Sequence, residues 1–353
     1  MFGGMKMVST TNGSSYPLGF TPGSNMDQKG FFVEALVGPA PDGGADDAQP
    51  KALQVDTGSC GIAIGSQFLS SYYRNKIQTQ GDPALLVTYL PSQNQIWGWW
   101  ADLPVRLFGS EAPKSKYDPA DYPQTTVKVM VASYMLLHGK TRQPFDGGMM
   151  GIGFHADQAT VRAANPLFSL TVNNQPLSAG YVLTPQGIDI GLNSRNIAGF
   201  EFVGLPPKGS LSEDPDSVIY EGPNATLTIS YQGTTTGPIT CDLLMDTGVP
   251  RPMLFTESAN IPASLWQPDP PPTPETQPNG TFLPGVSFDI AVSDGVCAYR
   301  FTLGQASPFT PPAFMLMNRA GAGSSLNTSI HLLGGYDYCL DYDGKRMGFR
   351  SRA

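Results

Sequence analysis

Two short stretches of the chain carry residues that could do chemistry together. Asp56-Thr57-Gly58-Ser59 follows the apolar run Ala52-Leu53-Gln54-Val55, and Asp246-Thr247-Gly248 follows Leu243-Leu244-Met245. A single Asp-Thr-Gly turn says little, because Asp and Gly are ordinary turn residues. Two such turns, each at the end of an apolar strand, invite a chemical explanation. Two carboxylates brought within hydrogen-bond reach cannot both ionise, so one pKa rises and the pair shares a proton. The ionised member can then take a proton from water while the other gives one to a carbonyl oxygen. That chemistry requires no metal, cofactor or covalent intermediate, and none is expected. Such a pair titrates as a unit, so naming either Asp56 or Asp246 as the base is a choice of microstate.

The elements around these turns read as β. The 353 residues include 40 Gly and 33 Pro, more than a fifth of the chain, spread over its whole length as turn punctuation. Short Val/Ile/Leu/Thr/Phe/Tyr runs recur between them, and long amphipathic helical windows are scarce. Length favours two lobes. The chain divides into a loose N-terminal segment (1–27), a β lobe with Asp56 (28–200) and a second β lobe with Asp246 (201–353). Leu85–Tyr89 and Gln95–Ala101, joined by Leu90-Pro91-Ser92-Gln93-Asn94, form a long hairpin. Residues 39–50, with the acidic Asp42–Asp47, and the Pro-rich stretch 266–280 read as surface loops, and the tryptophans Trp97, Trp99 and Trp100 as packing residues.

Composition excludes several function classes. The net charge is −8 and no Lys/Arg cluster breaks it, which argues against nucleic acid. No apolar stretch reaches the ~18–20 residues of a membrane span, and the first residues lack a signal-peptide core. Four cysteines (Cys60, Cys241, Cys297, Cys339) allow three two-bridge pairings and lack metal-ligand spacing. Cys60 has no supporting histidine motif among His138, His155 and His331, so a cysteine nucleophile is disfavoured. Four Asn-X-Ser/Thr sequons stand at Asn12, Asn224, Asn279 and Asn327.

The two halves rhyme further. Each carries two bulky apolar residues and a glycine well downstream of its Asp-Thr-Gly: Met149-Met150-Gly151 and Leu332-Leu333-Gly334. With the paired turns, this pattern resembles the pepsin-like aspartic proteases over about residues 29–350. The resemblance implies an all-β bilobal fold with the active cleft between two pseudo-symmetric lobes. It implies hydrolysis of an extended peptide or protein substrate by a monomer, with Asp56 and Asp246 catalytic. Thr57, Gly58, Ser59, Thr247 and Gly248 would support the dyad, Tyr89 would be the flap tyrosine, and Met149-Met150-Gly151 and Leu332-Leu333-Gly334 would each thread beside their Asp-bearing loop. An extracellular location is implied if a leader has been removed.

Ser59 is placed to donate to Asp56, but Val249 stands where the second turn would carry a hydroxyl. The flap tip and Pro250-Arg251-Pro252 are also bulkier than the family pattern. These departures keep open an alternative: a relative that retains the dyad for binding or for acid/base chemistry on a small molecule.

Overall fold

The computed structural model describes residues 13–26, 30–41, 47–89, 92–110, 121–154, 164–210, 218–269, 279–319 and 321–352. The expectations for residues 1–12, the acidic loop 42–46, flap-tip residues 90 and 91, His155 and the Pro-rich residues 270–278 lie outside these.

Two large sheets, one from each half of the sequence, are joined by a third that draws on both. Alternating apolar residues build them. Ser287–Val292 and Asn224–Tyr231 bury every second side chain, as half-buried strands must. In the first lobe Leu53, Val55, Ile62, Ile64, Val129, Val131 and Met150 are fully buried in one cluster. Each such side chain contributes ~1.5–3 kcal/mol of transfer free energy, so the Asp56-bearing strand is held chiefly by its own apolar face.

The strand pairing around the two aspartates is duplicated. In the first lobe Lys51–Asp56 pairs antiparallel with Phe32–Val37 and parallel with Gly148–Ile152. Gly148–Ile152 pairs antiparallel with Cys60–Gly65, which runs parallel to Gln124–Leu137. In the second lobe Thr234–Leu244 pairs antiparallel with Asn224–Tyr231 and parallel with Ser325–Asn327. Ser325–Asn327 pairs antiparallel with Met253–Thr256, which runs parallel to Met315–Asn318. Both Asp-Thr-Gly turns therefore sit at the end of a strand flanked by one antiparallel and one parallel neighbour.

This duplication corrects one sequence expectation. The segment beside the Asp246 strand is Ser325–Asn327, whereas Leu332-Leu333-Gly334 lies in a buried 3-10 turn, Ile330–Gly334. In the first lobe Gly151 stands opposite Asp56, and a side chain there would run into Ser59 and the Cys60 nitrogen. Continuing the second lobe's register by two residues puts Ser329 opposite Asp246. Ser329 adopts φ 57°, ψ −168°, a region that glycine fills without strain.

The shared six-stranded sheet runs Tyr16–Gly19, Gly187–Ile190, Gly180–Thr184, Tyr336–Asp341, Arg346–Ser351, Glu201–Gly204. Its first strand lies inside the stretch expected to be loose. Leu18 is buried there and Phe20 stacks on Phe31 with centroids 4.3 Å apart, so two apolar anchors hold a segment whose Gly/Ser/Thr surroundings read as unstructured. None of the four cysteines is in a disulfide.

Candidate active site

The two Asp-Thr-Gly turns meet at the junction of the lobes and are tied by their threonines. Thr57 Oγ1 donates to the Met245 carbonyl at 2.6 Å and accepts from the Thr247 N–H at 3.0 Å. Thr247 Oγ1 donates to the Val55 carbonyl at 2.7 Å and accepts from the Thr57 N–H at 3.1 Å. Each hydroxyl so bridges two backbone groups of the opposite lobe. Both threonines are 1% exposed, so these bonds form where water cannot replace them. Gln54 Nε2 adds a bond to the Gly248 carbonyl at 3.2 Å.

The glycines show how close the carboxyl groups come. A Cβ at Gly58 would lie 2.5 and 2.6 Å from the Asp246 carboxyl oxygens, and one at Gly248 would lie 2.6 Å from Asp56 Cγ. Each turn therefore packs its glycine against the carboxyl group of the other, a fit that no residue with a side chain allows.

Each carboxyl group accepts from a backbone N–H and from a side chain. Asp56 Oδ1 accepts from the Gly58 N–H at 2.8 Å and Oδ2 from Ser59 Oγ at 2.5 Å. Asp246 Oδ1 accepts from the Gly248 N–H at 2.8 Å, and Oδ2 accepts from Asn327 Nδ2 at 2.7 Å. Asn327 was not anticipated: in the sequence it stands out only as a sequon, in a short strand that nothing local links to Asp246. Its side chain is buried and engaged, so that sequon is not an accessible acceptor. Burial, and next the charge of Asp56, raise Asp246 well above the usual carboxylate range, while the Asn327 donor pulls it down.

The expected hairpin is present, Ala84–Tyr89 pairing with Asn94–Gly109 in the register Tyr89↔Asn94. Its tip is braced from the side by the turn after Gln124–Leu137. Asn94 Oδ1 accepts from the His138 N–H at 3.1 Å, and His138 Nδ1 lies 2.8 Å from the Ser92 carbonyl oxygen. The Tyr89 hydroxyl is buried and has no hydrogen-bond partner among the described residues. Burial, and then the nearby Asp56 charge, raise its pKa, so the phenol stays protonated as a donor. Of the tryptophans, Trp97 stacks on Tyr134 and Trp99 Nε1 donates to the Gly81 carbonyl at 2.8 Å. These are packing contacts of the hairpin.

Beside Asp246 a cavity of about 370 Å³ is lined by Gly58, Leu243, Leu244, Phe255 and Asn327. Its apolar floor is edged by Lys208, Glu221, Asp242 and Arg319, with Lys208 and Glu221 paired at 3.2 Å.

Comparison with solved structures places this architecture. The aspartic proteinase of Irpex lacteus superposes with a TM-score of 0.54 at 16% sequence identity, over 96% of this chain and 98% of that one. The fold is that of the pepsin-like aspartic proteases. No family model matches the chain, and no curated protein does. The likeness carries the fold, and what the site can do rests on the side chains described above.

Proposed function

We propose that the protein is an aspartic endopeptidase in which Asp56 and Asp246 activate one water for attack on a peptide carbonyl. The observation that carries this reading is the mutual packing of each turn's glycine against the other turn's carboxyl group, fixed by the crossed threonine bonds. That arrangement keeps two carboxyl groups in one buried site, where the pair holds a proton at a pH that would ionise both in water. The ionised member draws a proton from the water as it attacks, and the protonated member donates to the carbonyl oxygen. Thr57, Gly58, Ser59, Thr247 and Gly248 hold the pair in place. Tyr89, with its unused hydroxyl near Asp56, supplies a donor to a bound chain. The cavity beside Asp246 receives a substrate side chain, its stem on Leu244 and Phe255 and its tip among the rim charges.

The alternative reading, a dyad kept for non-peptide chemistry, draws on the missing hydroxyl at Val249 and on the bulkier flap tip. The Asn327 amide answers the first motive, since it donates to Asp246 where Val249 cannot.

A denatured protein incubated with the chain between pH 3 and 6 is expected to be cleaved at discrete internal bonds, with cleavage blocked by a statine-type transition-state mimic. Absence of cleavage across that range, or cleavage persisting in Asp56→Ala, would contradict the assignment.

A further inference from the structure

The two turns differ at the third residue after the aspartate. Ser59 donates to Asp56 Oδ2, while the equivalent residue of the second turn, Val249, has no polar atom to offer. Asp246 Oδ2 is nonetheless served, from a different element. Asn327 ends the strand that runs parallel to Asp242–Leu244, and its Nδ2 lies 2.7 Å from Asp246 Oδ2.

The orientation of that amide is fixed by its other end. Asn327 Oδ1 accepts the Ser329 N–H at 2.9 Å. Flipping the amide would set an oxygen against the Asp246 carboxyl and an NH₂ against an N–H, losing both bonds. The residue is 5% exposed, so solvent offers no substitute partners. Ser329 holds a backbone conformation suited to glycine, and that conformation presents its N–H to the amide.

We infer that Asn327 is a positioning residue of the dyad, supplying to Asp246 from a neighbouring strand the donor that Ser59 supplies to Asp56 from within its own turn. The inference rests on the proposed role of the two aspartates. A hydroxyl can donate to a carboxylate or accept from a carboxylic acid, whereas an amide nitrogen only donates. Ser59 therefore tolerates a proton on Asp56 Oδ2, while Asn327 opposes one on Asp246 Oδ2. The shared proton is left to Asp246 Oδ1 or to Asp56, so that Asp246 Oδ2 acts as an acceptor throughout the cycle.

Other ionisable groups surround this arrangement. Asp56 faces Asp246 directly and Tyr89 lies near Asp56. His331 Nε2 meets the Pro250 carbonyl in the turn that follows, and Lys208, Glu221, Asp242 and Arg319 edge the adjoining cavity. Of the side-chain hydrogen bonds at Asp246, the one from Asn327 lowers its pKa and the one with Asp56 raises it. Removing the amide thus removes a donor that favours the ionised form.

The test is the pH profile of kcat/KM for Asn327→Ala, for the double variant Asn327→Ala with Val249→Thr, and for Val249→Thr alone. A hydrogen bond to a charged group corresponds to a shift of about one to two pH units. Asn327→Ala should move the alkaline limb up by that amount. The added threonine hydroxyl, placed as Ser59 is, should move it most of the way back. An unmoved limb in folded Asn327→Ala, or a shift that Val249→Thr leaves in place, would overturn the inference. Val249→Thr alone leaves Asn327 intact and should shift the limb by less than about half a pH unit, because the oxygen already has its donor. A full unit downward would show that it has none. The ¹³C titration of the Asp246 carboxyl reads the same shifts without turnover, so failure of the inference stays separate from failure of the peptidase assignment.

Discussion

Asp246→Asn is expected to lower peptide hydrolysis by about 10²–10⁴-fold or more, the scale of a lost general acid/base, and at the same time to stabilise the protein near neutrality. The second effect follows from the raised pKa. Burial and the neighbouring Asp56 hold Asp246 well above the ordinary carboxylate range in the folded chain. A group whose folded pKa exceeds its unfolded value stabilises fully below the unfolded value, about 4 for an aspartate. That contribution is lost as the pH rises through the folded value. An asparagine cannot ionise, so the variant escapes the loss. Thermal midpoints of wild type and Asp246→Asn should lie close together near pH 4 and separate toward pH 7, with the variant higher. Equal midpoints at pH 7 would show that Asp246 is not held at a raised pKa. Activity and stability therefore move in opposite directions in one variant, which a merely structural aspartate would not produce.

Thr57→Val and Thr247→Val are expected to be the most destabilising single changes at the junction. Valine keeps the shape and removes the hydroxyl. In Thr57→Val the Met245 carbonyl and the Thr247 N–H both lose their partner. In Thr247→Val the Val55 carbonyl and the Thr57 N–H do. Each buried group left unsatisfied costs about 1–3 kcal/mol, so either variant should lose roughly 2–5 kcal/mol. The double variant should lose less than the sum, since both threonines serve one network. Because the same bonds hold the two turns in register, kcat should fall more than KM rises. Denaturant midpoints and steady-state kinetics check both parts. A loss below about 1 kcal/mol would mean that the lobes are fastened elsewhere.

Much of this architecture was legible in the sequence. The apolar strands before Asp56 and Asp246 and the hairpin whose first strand ends at Tyr89 lie where their residue patterns put them. Local alternation and turn chemistry decide such elements. The strand that pairs beside Asp246 was not legible. The apolar-apolar-Gly pattern pointed to Leu332-Leu333-Gly334, but long-range parallel pairing is decided by what fits beside the strand. There the chain uses Leu326 with a buried asparagine and a strained serine instead of glycine. Gly334 serves a different contact, lying against the Pro308 backbone. Asn327 was hidden for the same reason, since its partner is 81 positions away and no periodicity links them. Tyr16–Gly19 was missed because one buried leucine and one stacked phenylalanine outweigh a polar composition.

The proposed function requires Asp56 and Asp246 to form one acid/base unit holding a single proton at the pH of catalysis. The most direct test is a ¹³C NMR titration of the aspartate carboxyls, with the two resonances identified from Asp56→Asn and Asp246→Asn. Two widely separated apparent pKa values are expected for the pair, with one proton retained across the interval between them and the higher step absent from Asp246→Asn. Two independent ionisations, both inside the ordinary carboxylate range and each unchanged by removal of the other residue, would contradict it.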